Sequence, residues 1–281
     1  MKSMKSTHLV LSAFLLITSP VFADPLGDTV TITQAGSNGT ITTDKTETAE
    51  NPDTITVNQE GSSSCETAEI KLAGKGNHTA TVNQSGDHDN AKVSQFGEGD
   101  TVEINQSGGS GNSTTITQGE LSVGETATMT QVGGGNTGGI TQNGVSDIAT
   151  ISQAGSDNGA AIIQGELSVG ETATLTQAGG RNRGEISQYG LGDNATISQT
   201  AEGNTATITQ ELGGDNNKAT IIQNTGGSGN TASIDQYGSN QTATIDQRGN
   251  SNAATVDQSG MLQQARIIQI GNSNYAMITQ H

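Results

Sequence analysis

The chain has 281 residues, a formal net charge of −17 at pH 7, no tryptophan and only 2% aromatic residues. An acidic chain without clustered Lys and Arg is poorly suited to phosphate contacts, so a nucleic-acid partner is not expected. A globular core of this size would normally use more large apolar side chains. The abundance of Gly, Thr, Asn and Gln is compatible with disorder, so the periodicity of the sequence must decide the class.

The first 23 residues have the pattern of a secretory signal peptide. Lys2 and Lys5 precede the apolar run Leu9–Ile17, and small residues end the segment at Ala23. This pattern predicts cleavage after Ala23 and a secreted protein. The apolar run is too short to cross about 30 Å of hydrocarbon. No later segment is apolar enough to span, so we expect no transmembrane segment once the signal is removed.

Residues 24–76 form an irregular region with degenerate repeats. Thr29–Gly36 and Thr54–Gly61 alternate in the manner of strands, and a third strand is expected to end at Leu72. Leu72 stands where the strands farther along the chain carry glutamine. Residues 37–53 fit no strand, and we expect them to form a long loop.

A regular repeat array occupies residues 77–281, where a glutamine recurs eighteen times. Twelve of the seventeen intervals are 11 residues long, one is 12 and four are 13. These glutamines are Gln84, Gln95, Gln106, Gln118, Gln131, Gln142, Gln153, Gln164, Gln177, Gln188, Gln199, Gln210, Gln223, Gln236, Gln247, Gln258, Gln269 and Gln280. Disorder does not maintain such a phase, so the array predicts an ordered repetitive fold.

Within each unit the informative positions are spaced by two, which is the period of a strand. An aliphatic residue precedes the glutamine by two positions, Ala usually precedes it by four, and a polar residue precedes it by six. These positions share one face, and Thr and Ser dominate the other. The inward aliphatic residues include Ile151, Ile197, Ile208, Ile234, Ile245 and Ile278, and the inward asparagines include Asn204, Asn252 and Asn274.

One strand and one turn per 11 residues give two strands per coil. We therefore predict an all-β fold, a β-solenoid of stacked strand-turn-strand units with two narrow parallel sheets. Each isoleucine should stack on the isoleucine two units away, and each glutamine on a glutamine, so that buried amides bond to their copies above and below. The longer intervals place their extra residues in turns, which should leave the strand register unchanged.

A single unit buries too little apolar surface to stand alone, so stability should grow with the number of coils. The sequence ends inside the repeat pattern, at Ile278–His281. We expect the last strand to present open backbone groups that could template another chain. This predicts polymerisation of the chain with itself. A monomeric solenoid in which the inward amides only fill the core is the alternative.

The unit Gln-x-Gly-x-x-Asn-x-Ala-x-Ile-x-Gln resembles the curlin repeat of curli fibre subunits, with residues 236–247 and 269–280 as clear examples. The resemblance covers about residues 77–280, and residues 29–76 weakly. It implies a secreted, extracellular subunit of a Gram-negative bacterium that forms amyloid cell-surface fibres of the biofilm matrix, supporting adhesion and aggregation. It also implies other curlin subunits or a nucleator as partners, and an outer-membrane secretion pore. The array is about twice the usual length, which leaves open a major subunit, a nucleator or a paralogue.

Four units carry aspartate at the asparagine position: Asp89, Asp100, Asp147 and Asp193. Stacked carboxylates repel, so these residues could be gatekeepers that slow assembly. In the alternative interpretation they lie in water at the rim of the turn.

Other classes of function have weaker support. Thr-x-Thr pairs suggest an ice-binding solenoid, but only four strands carry the full pair, for example Thr128/Thr130 and Thr207/Thr209, and they fall on both predicted sheets. A monomeric adhesin shares the solenoid pattern. No enzyme is expected, because His78, His88 and His281 have no zinc-type spacing and Cys65 has no nucleophile signature. We expect no metal site and no cofactor.

Overall fold

A computed structural model describes residues 16–17, 28–35, 38–47, 51–60, 65–211, 213–224 and 226–281. Ala23 and the rest of the predicted signal peptide, apart from Leu16–Ile17, lie outside these residues. Secretion and cleavage after Ala23 therefore stay predictions.

The described residues form 23 strands. Their bounds are β1 Leu16–Ile17, β2 Thr29–Gln34, β3 Thr40–Glu47, β4 Thr54–Gln59, β5 Thr67–Gly74, β6 Thr79–Asp87, β7 Asn90–Gln95, β8 Thr101–Ser110, β9 Ser113–Gln118, β10 Thr126–Val132, β11 Thr137–Gln142, β12 Ile148–Ser156, β13 Gly159–Gln164, β14 Thr172–Gly180, β15 Arg183–Gln188, β16 Asn194–Thr200, β17 Thr205–Gln210, β18 Lys218–Gln223, β19 Thr231–Ser239, β20 Thr242–Arg248, β21 Ala253–Met261, β22 Gln264–Ile270 and β23 Tyr275–Gln280.

The strands alternate between two parallel sheets. The even-numbered strands form an 11-stranded sheet, here called sheet A, and the odd-numbered strands form a 12-stranded sheet, sheet B. Each strand pairs with the strands two before and two after it, so one coil contains two strands. This confirms the predicted all-β solenoid. Of the residues that the structure describes, no helical segment has the length and apolar character needed to cross a bilayer.

The core forms because alternate residues of each strand face inward. In β14 the odd-numbered positions Ala173, Leu175 and Gln177 are buried, while the intervening threonines are half-buried on the outer face. Leu175 pairs in register with Ile151 of β12 and Ile197 of β16. The predicted stacking of inward aliphatic residues is therefore confirmed for this column.

Side chains in one sheet are matched in size to the residues that face them in the other sheet. At Gly184 of β15, which occupies the usual alanine position, an added Cβ would approach Leu175 Cδ1 of β14 to 2.8 Å. The same relation holds between Gly138 of β11 and Met129 of β10, where the Cβ would lie 2.6 Å from the sulfur. A side chain that is unbranched at Cβ and reaches farther across the core thus faces a glycine in the other sheet, which leaves room for its end.

Insertions are confined to the turns, as expected. Gln131 pairs in register with both Gln106 and Gln153, although 25 residues separate it from the first and 22 from the second. Gly155, next to the last residue of β12, shows why glycine is needed where a strand leads into a turn. It has φ of +116°, and a Cβ there would lie 1.9 Å from the Gly179 carbonyl oxygen of the next coil.

The prediction that residues 37–53 form a long loop is wrong. Residues 40–47 form β3, which pairs with β5 in sheet B, with Thr43 opposite Ile70 and Lys45 opposite Leu72. The strand is hard to recognise because Thr43 replaces the aliphatic residue and Lys45 replaces the glutamine. Lys45 is accommodated because its ammonium group contacts the carboxylates of Asp28 and Asp53. Leu72 stands at the glutamine position, as predicted, since it pairs with Gln95.

Candidate functional site

Two ladders of glutamine side chains run through the solenoid, one at the end of the strands of each sheet. In each step the Nε2 of one glutamine donates to the Oε1 of the glutamine in the next coil. The sheet A ladder joins Gln59, Gln84, Gln106, Gln131, Gln153, Gln177, Gln199, Gln223, Gln247 and Gln269, with N···O distances of 2.8–3.0 Å. The sheet B ladder joins Gln95, Gln118, Gln142, Gln164, Gln188, Gln210, Gln236, Gln258 and Gln280 at 2.8–3.1 Å.

The second N–H of these amides connects the two sheets. Gln153 Nε2 of sheet A also donates to the carbonyl oxygen of Thr137 in sheet B, at 3.0 Å. Gln142 Nε2 of sheet B likewise donates to the carbonyl oxygen of Thr126 in sheet A, at 3.2 Å. Both amide hydrogens are therefore bonded, which buried amides require. The glutamine ladders thus hold successive coils in register and bind the sheets to each other.

A second column of amides lies at the start of the sheet B strands. We call it the amide column: Asn112, Asn136, Asn158, Asn182, Asn204, Asn230, Asn252 and Asn274. At Asn158, Oδ1 accepts from the backbone N–H of Asn182 at 3.1 Å, and Nδ2 donates to the carbonyl oxygen of Gly179 at 3.0 Å. The predicted residues Asn204, Asn252 and Asn274 belong to this column. Most asparagines of the column therefore act as both donor and acceptor, whereas Asn204 only accepts, because its Nδ2 is buried without a partner.

The equivalent position in sheet A carries acids. We call these five consecutive residues the acidic column: Asp100, Glu125, Asp147, Glu171 and Asp193. Backbone bonds keep it in register, since Thr101 N donates to Glu125 O and Thr126 N donates to Asp147 O. All five side chains are at most 1% exposed. The interpretation that the aspartates lie in water is therefore wrong, and their role as gatekeepers stays a prediction.

Asp89, the one predicted aspartate outside the acidic column, lies at the same position of a strand in sheet B. Its Oδ1 accepts from both the backbone N–H and the Nδ2 of Asn112, at 2.9 and 3.1 Å. Asp89 is fully buried, and burial raises the pKa of its carboxyl. The four aspartates that the sequence grouped together thus divide between the two edges.

Burial dominates the electrostatics of the acidic column. It raises the pKa of Glu125 to about 9, and the neighbouring Asp100 and Asp147 add to the rise. It raises the pKa of Glu171 to about 8, again with two carboxyl neighbours, and that of Asp193 to about 6. Burial also raises the pKa values of Asp100 and Asp147, each of which lies in contact with a serine hydroxyl.

Sequence reasoning missed several members of these columns. Glu125 and Glu171 were not among the predicted residues, and neither was the first half of the amide column, from Asn112 to Asn182. All of them stand six residues before a ladder glutamine. The spacing from the glutamine therefore identifies them, once glutamates are grouped with aspartates and alternate units are assigned to opposite sheets.

The remaining candidates form no common site. Thr128/Thr130 lie in sheet A and Thr207/Thr209 in sheet B, so these pairs do not build one flat array. Cys65 is exposed and unpaired. His78 is buried with Nδ1 3.4 Å from the backbone nitrogen of Asp100. Within the described part of the chain, no three His, Cys, Asp or Glu side chains are placed to hold a metal ion.

The curlin associated repeat matches seven overlapping segments of this chain: residues 171–200, 179–211, 193–224, 201–238, 214–249, 227–260 and 249–281. Together these segments cover β14 to β23 without a gap. A search of curated proteins found no match. The matched coils contain the ladder glutamines from Gln177 to Gln280.

Proposed function

The chain belongs to the curlin-repeat family, and on this basis we propose that it is a secreted structural subunit that self-assembles into extracellular curli-like amyloid fibres. The family is one of structural fibre subunits. The curlin repeats and the β-solenoid fold fit a subunit of this kind.

The observation that carries the proposal is the in-register stacking of like residues. Each coil contacts the next in three ways: through the inward column of aliphatic side chains, through the glutamine ladder and through the backbone hydrogen bonds of the parallel sheets. Ala254, Val256 and Gln258 of β21, for example, pair with Ala276, Ile278 and Gln280 of β23. None of these contacts depends on the connecting turn. A coil of a second chain could therefore use the same contacts as a coil of the same chain, which is the stacking principle of cross-β fibres.

The last described coil illustrates the kind of surface that such stacking would cover. The inward residues Ala276, Ile278 and Gln280 of β23 are half-buried, whereas their counterparts in β21 are buried. Covering the aliphatic and amide groups with a further coil would remove apolar surface from water and add ladder hydrogen bonds.

The test is seeded assembly of the purified chain from residue 24 onward. We expect thioflavin fluorescence to rise after a lag that preformed seeds abolish, and fibre diffraction to show reflections near ~4.7 Å and ~10 Å. Ile278→Asp, on the inward face of β23, should slow seeded growth. Met277→Asp, on the outward face of the same strand, is the matched control and should not. A stable β-rich monomer that never responds to seeds would overturn the proposal and favour a monomeric adhesin.

The cellular setting belongs to the same proposal. We expect fibres at the cell surface of a Gram-negative bacterium, in the biofilm matrix, where they would support adhesion and aggregation. The partners would be other copies of the chain, other curlin subunits or a nucleator, and an outer-membrane secretion pore. Immunogold labelling of intact cells should find the chain on extracellular fibres, and labelling confined to the cell interior would contradict this setting.

A further inference from the structure

The two edges of the solenoid carry different polar side chains at the position that bonds to the backbone of the next coil. At the sheet B edge an asparagine amide both accepts and donates, as Asn158 does. At the sheet A edge the equivalent residue is a carboxyl in five consecutive coils. An ionised carboxylate only accepts hydrogen bonds, whereas a protonated carboxyl also donates one. The acidic column can therefore reproduce the amide pattern only while it carries protons.

The serines beside the column support the protonated form. Ser122 Oγ lies 2.6 Å from Asp100 Oδ2 and 2.7 Å from the carbonyl oxygen of Gly119. Ser168 Oγ stands in the same way between Asp147 Oδ2 and the carbonyl oxygen of Gly165. One hydroxyl hydrogen cannot satisfy two acceptors. Both short contacts become hydrogen bonds when the aspartate carries the missing proton and donates to the serine.

The glutamates show a matching shortage of donors. Glu125 Oε1 accepts from Gly144 N and Glu171 Oε1 accepts from Gly190 N, both at 2.5 Å. The Oε2 atoms of both residues are buried without a hydrogen-bond partner. A buried charged oxygen without a donor is costly, whereas a neutral hydroxyl in its place costs much less.

Apart from His78 beside Asp100, the charged groups around the column do not compensate its negative charge. Each glutamate lies between two aspartates of the column. His78 lies 3.9 Å from Asp100 at one end, and Asp215 lies near Asp193 at the other. The facing strands of sheet B contribute neutral amides, such as Gln142 Nε2 3.0 Å from the Asp147 carbonyl oxygen. In the described residues, no Lys or Arg pairs with any of the five acids, and the other charges on these turns are Glu98, Glu120, Glu166 and Glu211.

We propose that the acidic column is a proton-operated control on the solenoid: the chain takes up protons as the column becomes buried, so acid promotes folding and stacking and alkali opposes them. The part that concerns fibres rests on the proposed function.

The sign follows from the direction of the shifts. The folded column holds protons that the unfolded chain releases near pH ~4. Stability is therefore highest below that pH and falls as the pH rises through the folded pKa values, which are about 6 for Asp193, about 8 for Glu171 and about 9 for Glu125. Above those values the loss is complete. Each proton taken up changes the assembly equilibrium by about tenfold per pH unit within the window.

The test measures proton uptake directly. The chain is assembled with seeds in weakly buffered solution near pH ~7, and the acid needed to hold the pH constant is titrated. Glu125→Gln/Glu171→Gln keeps the shape of both side chains and supplies a permanent donor. Glu120→Gln/Glu166→Gln is the matched control. These two exposed glutamates belong to the same duplicated segment, Gly-Glu-Leu-Ser-Val-Gly-Glu-Thr-Ala-Thr, and their substitution changes the formal charge of the chain by the same amount. The control is needed because the chain has a pI near 4.3, so acid also reduces overall repulsion.

We expect the unmodified chain and the exposed-residue control to take up similar numbers of protons, and Glu125→Gln/Glu171→Gln to take up about two fewer. The soluble concentration at the plateau should rise with pH less steeply in that variant, by about a hundredfold per pH unit for two protons. Equal uptake by all three proteins, or a flattened pH profile in the exposed-residue control alone, would overturn the proposal.

The experiment also separates this inference from the proposed function. If the chain never forms fibres, the function fails, and the same three proteins are compared as soluble folded chains by thermal denaturation between pH ~5 and pH ~9. The unmodified chain should then lose thermal stability as the pH rises, and Glu125→Gln/Glu171→Gln should lose less. If that variant does not fold, Asp193→Asn replaces it, because Asn217 occupies the same position in the next coil. A pH profile unchanged by Asp193→Asn would contradict the proposal.

Discussion

Replacing Gln153 by leucine tests whether the glutamine ladder stabilises the fold. The substitution preserves apolar volume but removes the acceptor of Gln131 Nε2 at 2.8 Å, the donor of Gln177 Oε1 at 3.0 Å and the donor of the Thr137 carbonyl oxygen at 3.0 Å. Gln131 keeps its bond to the Ser113 carbonyl oxygen, but Gln177 Oε1 loses its side-chain donor. Because a buried polar group without a partner costs about 1–3 kcal/mol, we expect a loss of about 2–4 kcal/mol.

The assay is equilibrium unfolding in guanidinium chloride, followed by circular dichroism at a pH where the chain is soluble. Ser152→Ala is the matched control, since Ser152 lies on the outer face of the same strand, β12, and is not part of the ladder. Its effect should stay within about 0.5 kcal/mol. A variant with leucine at Gln131, Gln153 and Gln177 should cost less than three times the single variant, because its interior steps leave no unpaired partner.

Two results would refute this reasoning. A loss for Gln153→Leu no larger than that for Ser152→Ala would mean that the ladder bonds contribute no net stability over an apolar contact. A triple variant that costs three times the single one would mean that the glutamines act independently. In either case the in-register stacking would depend on the aliphatic column and the backbone alone, and the polar specificity proposed for assembly would lose its basis.

Three further predictions concern the core, two at irregular positions and one at a regular isoleucine. Gln95 Oε1 is buried without a donor, because Leu72 precedes it in the ladder, so Leu72→Gln should raise the unfolding free energy by about 1 kcal/mol in denaturant titration; a lower value would contradict this. Gly184→Ala should lower the free energy of unfolding by about 1–3 kcal/mol, because the added methyl group overpacks against Leu175. In a double-mutant cycle Leu175→Ile should relieve this cost, and additive costs would show that the two positions are not coupled. Ile197→Ala should lower the free energy of unfolding by about 2–5 kcal/mol in the same titration through the cavity it leaves, and a loss under 1 kcal/mol would indicate a loosely packed column.

Most of the fold was predictable because the repeat itself encodes the pairing. A residue such as Ile151 meets its partners, Met129 and Leu175, at separations of 22 and 24 residues. Two repeat units therefore specify both the partner and the face. The same reasoning failed at β3, where Thr43 and Lys45 break the pattern. Lys45 is tolerated only because Asp28 and Asp53 lie beside its ammonium group, and no local sequence signal reports that arrangement.

The chemistry of the edges was less predictable. The sequence places a polar residue six positions before each glutamine, but a single unit does not report which edge that residue occupies. Alternate units belong to opposite sheets, so acids and amides that are mixed along the chain separate into an acidic column in sheet A and an amide column in sheet B.

The amino-acid sequence by itself determined the strand positions, the inward face, the location of insertions and the two-strand coil, because every contact in a solenoid repeats at nearly one sequence separation. Only the tertiary structure decided that five acids stack on one edge of the solenoid and are buried there: Asp100, Glu125, Asp147, Glu171 and Asp193. The state of a carboxyl depends on what surrounds it, and its surroundings come from coils on either side. Strand parity is a local property of the chain, whereas desolvation is a property of the assembled stack.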